Sequence, residues 1–174
     1  RCGLKLRLHA DQLTANGGVA LAVSMGAASV DHLERINDQE IALLASSDTC
    51  ATLLPGVSLF LNYGYPPGRC LIDQGAIVAL ASNFNPGSCM CMNLQLMMSL
   101  ACTQMAFSPE EAINAATVNA AHSLGLERTG LITVGAMADL VMMDLADYRM
   151  APYFFGINHV HMVIKRGRIV WTNA

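Results

Sequence analysis

The sequence predicts an α/β fold built from parallel βα units. Three observations carry this. A short strand-like run followed by a helix-like run recurs four times, at a spacing of roughly 25 residues. A polar or turn-forming residue closes each strand: His9, His32, Pro55-Gly56 and Asn83. The strands themselves are short, apolar and β-branched, as in Ile77-Val78-Ala79-Leu80-Ala81, which suits strands buried on both faces. Four such units make half of an eight-stranded barrel or a small doubly wound sheet. The pattern alone leaves both open.

Composition sets bounds on the rest. The 174 residues are 53% hydrophobic and 13% charged, with a formal net charge of -3. One domain with a real core is expected at this length. So apolar a surface also fits a piece whose partner covers part of it. No Lys/Arg cluster marks a nucleic-acid footprint. Asp73, Gln74, Asn93 and Gln95 interrupt the longest apolar stretches, so no membrane-spanning helix and no signal peptide are expected, and a cytoplasmic location follows. The chain opens on Arg1-Cys2-Gly3 without an initiator Met, which leads us to expect residues upstream. Its six cysteines lack CxxC spacing, so buried free thiols are expected rather than a disulfide scaffold. Cys89-x-Cys91 does not close a zinc site alone.

Taken in order, Leu4 to Leu8 alternates as a strand ending at His9-Ala10-Asp11-Gln12. Asn16-Gly17-Gly18 is a turn, and Val19 to Met25 a helix. Ala28-Ser29-Val30 is a very short strand reaching Asp31-His32. Asn37 with Glu40 three residues on is a capping box opening a helix to about Ala45. Cys50 to Leu54 is the third strand, and Pro55-Gly56 stops it. Val57 to Gly68, with two Tyr and a Pro-Pro pair, reads as a loop at the edge of a lid. Arg69 to Gln74 is a short helix before the fourth strand. The stretch Asn83 to Ser88 has the chemistry of a tight loop, and a helix from Asn93 to Met105 follows. Ser108-Pro109-Glu110-Glu111 starts another helix, and Thr117 to Leu124 adds two turns closed by Gly125. From Gly130 the texture turns antiparallel: Ala138 to Met143, then a hairpin of His161–Ile164 and Ile169–Trp171 across a Gly turn.

Parallel strands deliver their C-terminal tips to one rim. Each polar tip has a plain structural reading by itself: a satisfied histidine, a turn cap, an amide bonded to its own loop. Together, two His and an amide on one rim form the start of a hydrolytic metal site. His159-Val160-His161 is set aside because it lies in the antiparallel tail, and His122 is read as structural.

Gly130-x-Ile132-x-x-Gly135-x-x-Ala138-Asp139-Leu140 resembles the tail signature of the amidohydrolase superfamily. HADQL (9–13), DHLE (31–34), LLPG (53–56), SNFNPGS (82–88), TVNAA (117–121) and NHVH (158–161) resemble, in order and spacing, the imidazolonepropionase family of histidine degradation. The resemblance covers essentially the whole chain. It implies the C-terminal half of a (β/α)8 amidohydrolase barrel, with residues 1–127 as βα units five to eight. Residues 128–174 would be the C-terminal β segment of a small sandwich built from both chain ends. It implies hydrolysis of 4-imidazolone-5-propanoate to N-formimidoyl-L-glutamate with one zinc or iron ion. His9 would be a metal ligand, and His32 a catalytic histidine near the attacked carbon. Gln12, Asn85, Gly87 and Ser88 would hold substrate. The implied mechanism is attack of metal-activated water on the ring amide, with an acid at the eighth strand tip taking the proton.

Two departures bear on that expectation. The family has Asp where this chain has Asn83, the position implied both to bind metal and to shuttle protons. An amide offers a neutral oxygen and cannot act as a base, so activity should be impaired or lost. The family's first four strands are also missing from these residues. A half barrel exposes two sheet edges, so an N-terminal half or a second copy is expected to complete it. Two other readings stay open. One is a non-catalytic remnant acting by association; the other is the same scaffold turned to another cyclic amide or a deaminase substrate.

Overall fold

The computed structural model describes residues 3–173, so Cys2 and the Arg1-Cys2 start lie outside the described residues. Four strands, β1 (Arg7–Ala10), β2 (Ser29–His32), β3 (Cys50–Leu53) and β4 (Val78–Leu80), form one sheet. They pair in sequence order and all in parallel. The helices α1 (Gly18–Ser24), α2 (Asp38–Ala45), α3 (Pro55–Leu61) and α4 (Gly68–Asp73) connect them. Three more follow: α5 (Leu94–Gln104), α6 (Pro109–Ala116) and α7 (Val118–Leu124). A separate antiparallel sheet then orders β5 (Leu140–Met143), β6 (Val160–Lys165) and β7 (Arg168–Thr172), with the single turn α8 (Met150–Tyr153) between β5 and β6.

The core sits on one face of the parallel sheet. Ala10, Val30, Leu53 and Leu80 pack there with Ala22, Ile41, Leu44, Leu71, Met98 and Ala112 from the helices. Local chemistry explains where several helices start. Asn37 accepts from the Glu40 amide (3.0 Å) while Glu40 accepts from the Asn37 amide (3.3 Å). Ser108 and Glu111 repeat that reciprocal cap on α6. Asn93 caps α5 by accepting from the Leu96 amide at 3.1 Å. Arg69 forks onto Glu111 (2.8 and 2.9 Å) and so ties α4 to α6.

Four expectations need correcting. The segment from Val57 is not loop throughout: Pro55–Leu61 is helical. Pro55 supplies a pre-set φ at the first helical position, and Val57 and Ser58 are buried, so packing overrides the weak local pattern. The first strand begins at Arg7, three residues later than its alternation suggests, and it takes in His9. A parallel strand needs a partner, and the ladder to β2 starts at Arg7 opposite Ser29. Residues 130–135 lie outside any strand; Gly130 (φ 85) passes so close to the Thr117 carbonyl that a Cβ would stand 2.7 Å from it. The tail-signature Asp139 serves the hairpin: it accepts from the Arg166 amide at 2.7 Å and pairs with Lys165. The five described cysteines are free. Cys50 and Cys89 are buried, but Cys91 and Cys102 are half-buried and Cys70 is exposed, against the expectation of buried thiols.

Candidate active site

Register builds the site. His9 stands opposite Asp31, Asp31 opposite Thr52, and Thr52 opposite Ala79, making one row across all four strands. Below it, Arg7, Ser29 and Cys50 form a second row. Period-two alternation puts both rows on the sheet face away from the core. That face opens on a cavity of about 400 Å³ lined by Arg7, His9, Asp31, Thr52, Asn83 and Ser123, among others. The helix α7 leans on one end of it. Asn119 donates to the Val78 carbonyl (2.8 Å), and Arg7 donates to Ser123 Oγ (3.0 Å) and Ser29 Oγ (2.9 Å). Ser29 Oγ donates in turn to Asp31 Oδ1 at 2.9 Å. Burial pushes the Cys50 thiol up to about 11 in this row, so it stays a thiol.

The two histidines meet. His32 Nε2 and His9 Nδ1 are 3.1 Å apart, with ring centroids at 4.9 Å. The His9 side chain is 66% exposed, whereas His32 is 3%. His9 Nε2 lies 3.8 Å from Asp31 Oδ2. Behind His32, Glu34 Oε1 is 3.5 Å from Nδ1, with its side chain 1% exposed. Neither Glu34 oxygen nor His32 Nδ1 has a hydrogen-bond partner. The backbone is strained where these groups are presented. Asp11, His32, Leu33 and Asn83 all have positive φ, at 54°, 87°, 72° and 53°. Asp and Asn tolerate that region, but Leu33 and His32 are held there against preference, a pattern found at functional sites.

The other expected residues divide. Asn83 reaches the same cavity as His9. Gln12 donates to the Tyr63 hydroxyl at 2.8 Å. Burial raises the Tyr63 pKa; the Gln12 hydrogen bond opposes this, and the charge of Glu34 adds to it. Asn85, Gly87 and Ser88 close on themselves: Asn85 Oδ1 accepts from the Gly87 and Ser88 amides, both at 2.9 Å, and Asn85 Nδ2 donates to the Asn83 carbonyl at 2.7 Å. The loop amides are therefore satisfied internally, and they shape the turn that carries Asn83. Arg7, Asp31, Glu34 and Tyr63 belong to this site without having been singled out from sequence. The spacings Arg7-x-His9 and Ser29-x-Asp31 carried a signal for two of them, since alternate strand residues share a face. His122 is structural as expected, its ring 3.2 Å from the Asp48 carbonyl. The His159 ring lies 3.1 Å from the Phe154 carbonyl.

The donor set does not fit a metal ion by itself. Among the described residues no three His, Cys, Asp or Glu side chains converge to hold one. One open imidazole and the neutral amide of Asn83 make at most half of a coordination sphere. A larger cavity of about 960 Å³ lies between α5, α6 and the antiparallel sheet, lined by residues such as Met98, Leu140 and Val141. None of the rim residues borders it.

Comparison with known proteins adds to this geometry. The amidohydrolase family model matches residues 8–170. The chain is 47% identical over 169 residues to the imidazolonepropionase of Rubrobacter xylanophilus, covering 97% of this chain and 41% of that protein. It is 45% identical over 174 residues to that of Bacillus thuringiensis, covering 99% and 41%. The chain thus spans about two fifths of the length of these curated relatives. The fold resembles a zinc-bound adenosine deaminase from Xanthomonas campestris (TM-score 0.82, 20% identity, 95% of this chain and 45% of that one). It also resembles atrazine chlorohydrolase from Arthrobacter aurescens in complex with zinc (TM-score 0.78, 18% identity, 98% and 44%).

Proposed function

Since this chain belongs to the amidohydrolase family, we propose that it is the C-terminal portion of a metal-dependent hydrolase of a cyclic amide, resembling imidazolonepropionase. The reaction would be 4-imidazolone-5-propanoate plus water to N-formimidoyl-L-glutamate, in cytoplasmic histidine degradation. The observation that carries this reading is the uncovered sheet face, where the strand tips present His9, Asp31 and Asn83 to one cavity. Residues 1–127 then correspond to βα units five to eight of a barrel, and residues 128–174 to part of a composite sandwich. β1 and β4 are the edges of the parallel sheet, as a half barrel requires. The completing strands would come from an N-terminal half or a second copy, and with them the remaining ligands for zinc or iron. This chain supplies one imidazole toward such an ion, which falls short of a site, so no step is assigned to the ion here. The chain's own residues have definable parts in this reading: His9 lines the approach to the ring with buried His32 behind it, Gln12 and Tyr63 offer polar contacts, and the Asn85–Ser88 turn fixes the fourth tip.

Asn83 favours a second reading, a non-catalytic remnant that acts by association. A carboxylamide takes up no proton near neutrality, so the fourth tip lacks a base. The two readings separate when the chain is joined to the N-terminal portion of a close relative and assayed on 4-imidazolone-5-propanoate, with and without Asn83→Asp. Turnover that appears or rises at least tenfold with Asp supports the hydrolase. A folded, metal-loaded Asn83→Asp protein without turnover supports the remnant.

A further inference from the structure

Glu34 is the least explained group in the molecule. Its side chain is 1% exposed, both oxygens lack hydrogen-bond partners, and it sits on none of the helices. A buried carboxyl left unpaired costs several kcal/mol unless a proton lies between it and a neighbour. Nδ1 of His32 is also buried and unpartnered, 3.5 Å from Glu34 Oε1. Catalytic hydrogen bonds in unliganded proteins are often long and tighten on binding. A proton on His32 Nδ1 would be aimed at Glu34 Oε1 and would give that nitrogen and that oxygen a partner in each other.

That placement has a consequence one ring further on. With its proton on Nδ1, neutral His32 has a bare Nε2 that can only accept. Its neighbour at 3.1 Å is His9 Nδ1, which must then donate. His9 in turn keeps a bare Nε2, on the ring that is 66% exposed at the cavity. The opposite chain of protons would put a proton on His9 Nε2 toward Asp31, and it would leave His32 Nδ1 bare against Glu34. Two observations disfavour it. Asp31 Oδ2 is 3.8 Å from His9 Nε2, longer than the 3.5 Å from Glu34 Oε1 to His32 Nδ1, and Asp31 already takes a hydrogen bond from Ser29 on Oδ1, whereas Glu34 has none. Glu34 is drier than Asp31, whose side chain is 18% exposed, so its pull on a proton is screened less.

We propose that Glu34 is a positioning residue that acts through His32 to keep the exposed Nε2 of His9 a bare lone pair. This rests on the reading of His9 as the group that faces the reacting centre. The device itself, two imidazoles in series behind a dry carboxyl, is a property of these residues alone. It carries the orienting partner of a histidine one ring further than the usual carboxylate–histidine pair.

The test needs neither activity nor metal. This 174-residue chain is labelled with 15N at histidine, and long-range 1H–15N correlations are recorded at about pH 8, above the ordinary imidazole range. His9 and His32 are assigned through His9→Gln and His32→Gln. The expected result is a protonated Nδ1 and a bare Nε2 on both rings. In Glu34→Leu, which removes the acceptor while keeping bulk, the two His9 tautomers should mix, seen as 15N shifts moving toward each other. Glu34→Gln keeps one acceptor oxygen and should retain the wild-type pattern. A proton on His9 Nε2 in the unsubstituted chain overturns the proposal without any variant, so loss of folding in Glu34→Leu cannot shelter it. Unchanged shifts in a folded Glu34→Leu protein overturn it as well. Failure of the hydrolase reading would show up separately, as a joined protein without turnover whose His9 tautomer is nonetheless as stated.

Discussion

Gly56 offers a direct test of how the third strand tip is locked to the loop that carries Asn83. It lies at the second position of α3, after Pro55. A Cβ there would stand 2.8 Å from Cys89 Sγ and 3.0 Å from both Met97 Cε and Sδ. Met97 ends in a flexible thioether and can yield. Cys89 cannot yield as freely, because it is 3% exposed and its backbone bridges Asn85 at 2.9 and 3.3 Å. Overpacking of this kind costs about 1–3 kcal/mol. Replacing a helical Gly by Ala returns about 0.8–1 kcal/mol. Gly56→Ala should therefore destabilise by up to about 2 kcal/mol, or up to roughly 8 °C in Tm for a chain of this length. Urea and thermal denaturation followed by circular dichroism would measure it. The double variant Gly56→Ala with Cys89→Ala should lose less stability than the two single changes added together, since the second removes the clashing sulfur. A Gly56→Ala protein more stable than the parent, or strict additivity in the double variant, would refute the packing argument.

Two further outcomes follow from the buried groups. Burial and the adjacent Asp11 raise the pKa of Glu40 above 4.5. A raised carboxyl pKa means that ionising this group costs folded-state stability as pH climbs from 4.5 through the raised value, and the cost is absent below 4.5. Glu40→Gln keeps the cap acceptor for the Asn37 amide, so it should stabilise the chain at neutral pH and lose that advantage in acid; equal urea midpoints at neutral pH would contradict this. For the thiols, iodoacetamide labelling read by peptide mass spectrometry should modify exposed Cys70 first and reach Cys50, pushed up to about 11, only on unfolding. Early labelling of Cys50 would show that β3 is open to solvent.

Much of the local structure was legible without coordinates. The Asn37–Glu40 and Ser108–Glu111 boxes are signals within a single turn, and both helices start where those signals put them. The hairpin of β6 and β7 follows its Gly turn in the same way. The errors came where a partner decides. Leu4 and Leu6 alternate like a strand, but the ladder begins at Arg7, and Leu4 is left 85% exposed. Pro55–Leu61 lacks a capping side chain and is helical with its first four residues buried, the helix packing against α5.

The candidate site divides along the same line. The residues at the strand tips, His9, His32 and Asn83, are properties of the sequence, because parallel βα units send every tip to one rim. So is the neutral amide at the fourth tip, since Asn83 carries no ionisable carboxyl whatever the fold. What only the tertiary structure decided is who touches whom. It set His32 between His9 and a dry Glu34, brought Tyr63 to Gln12, and placed Asp31 beside His9 through the β1–β2 register. These contacts join elements more than twenty residues apart in several cases, and no local periodicity encodes a distance across a sheet. The same limit applies to metal ligands: sequence supplies a count of donors, and only their positions in space show that no three His, Cys, Asp or Glu side chains converge among the described residues.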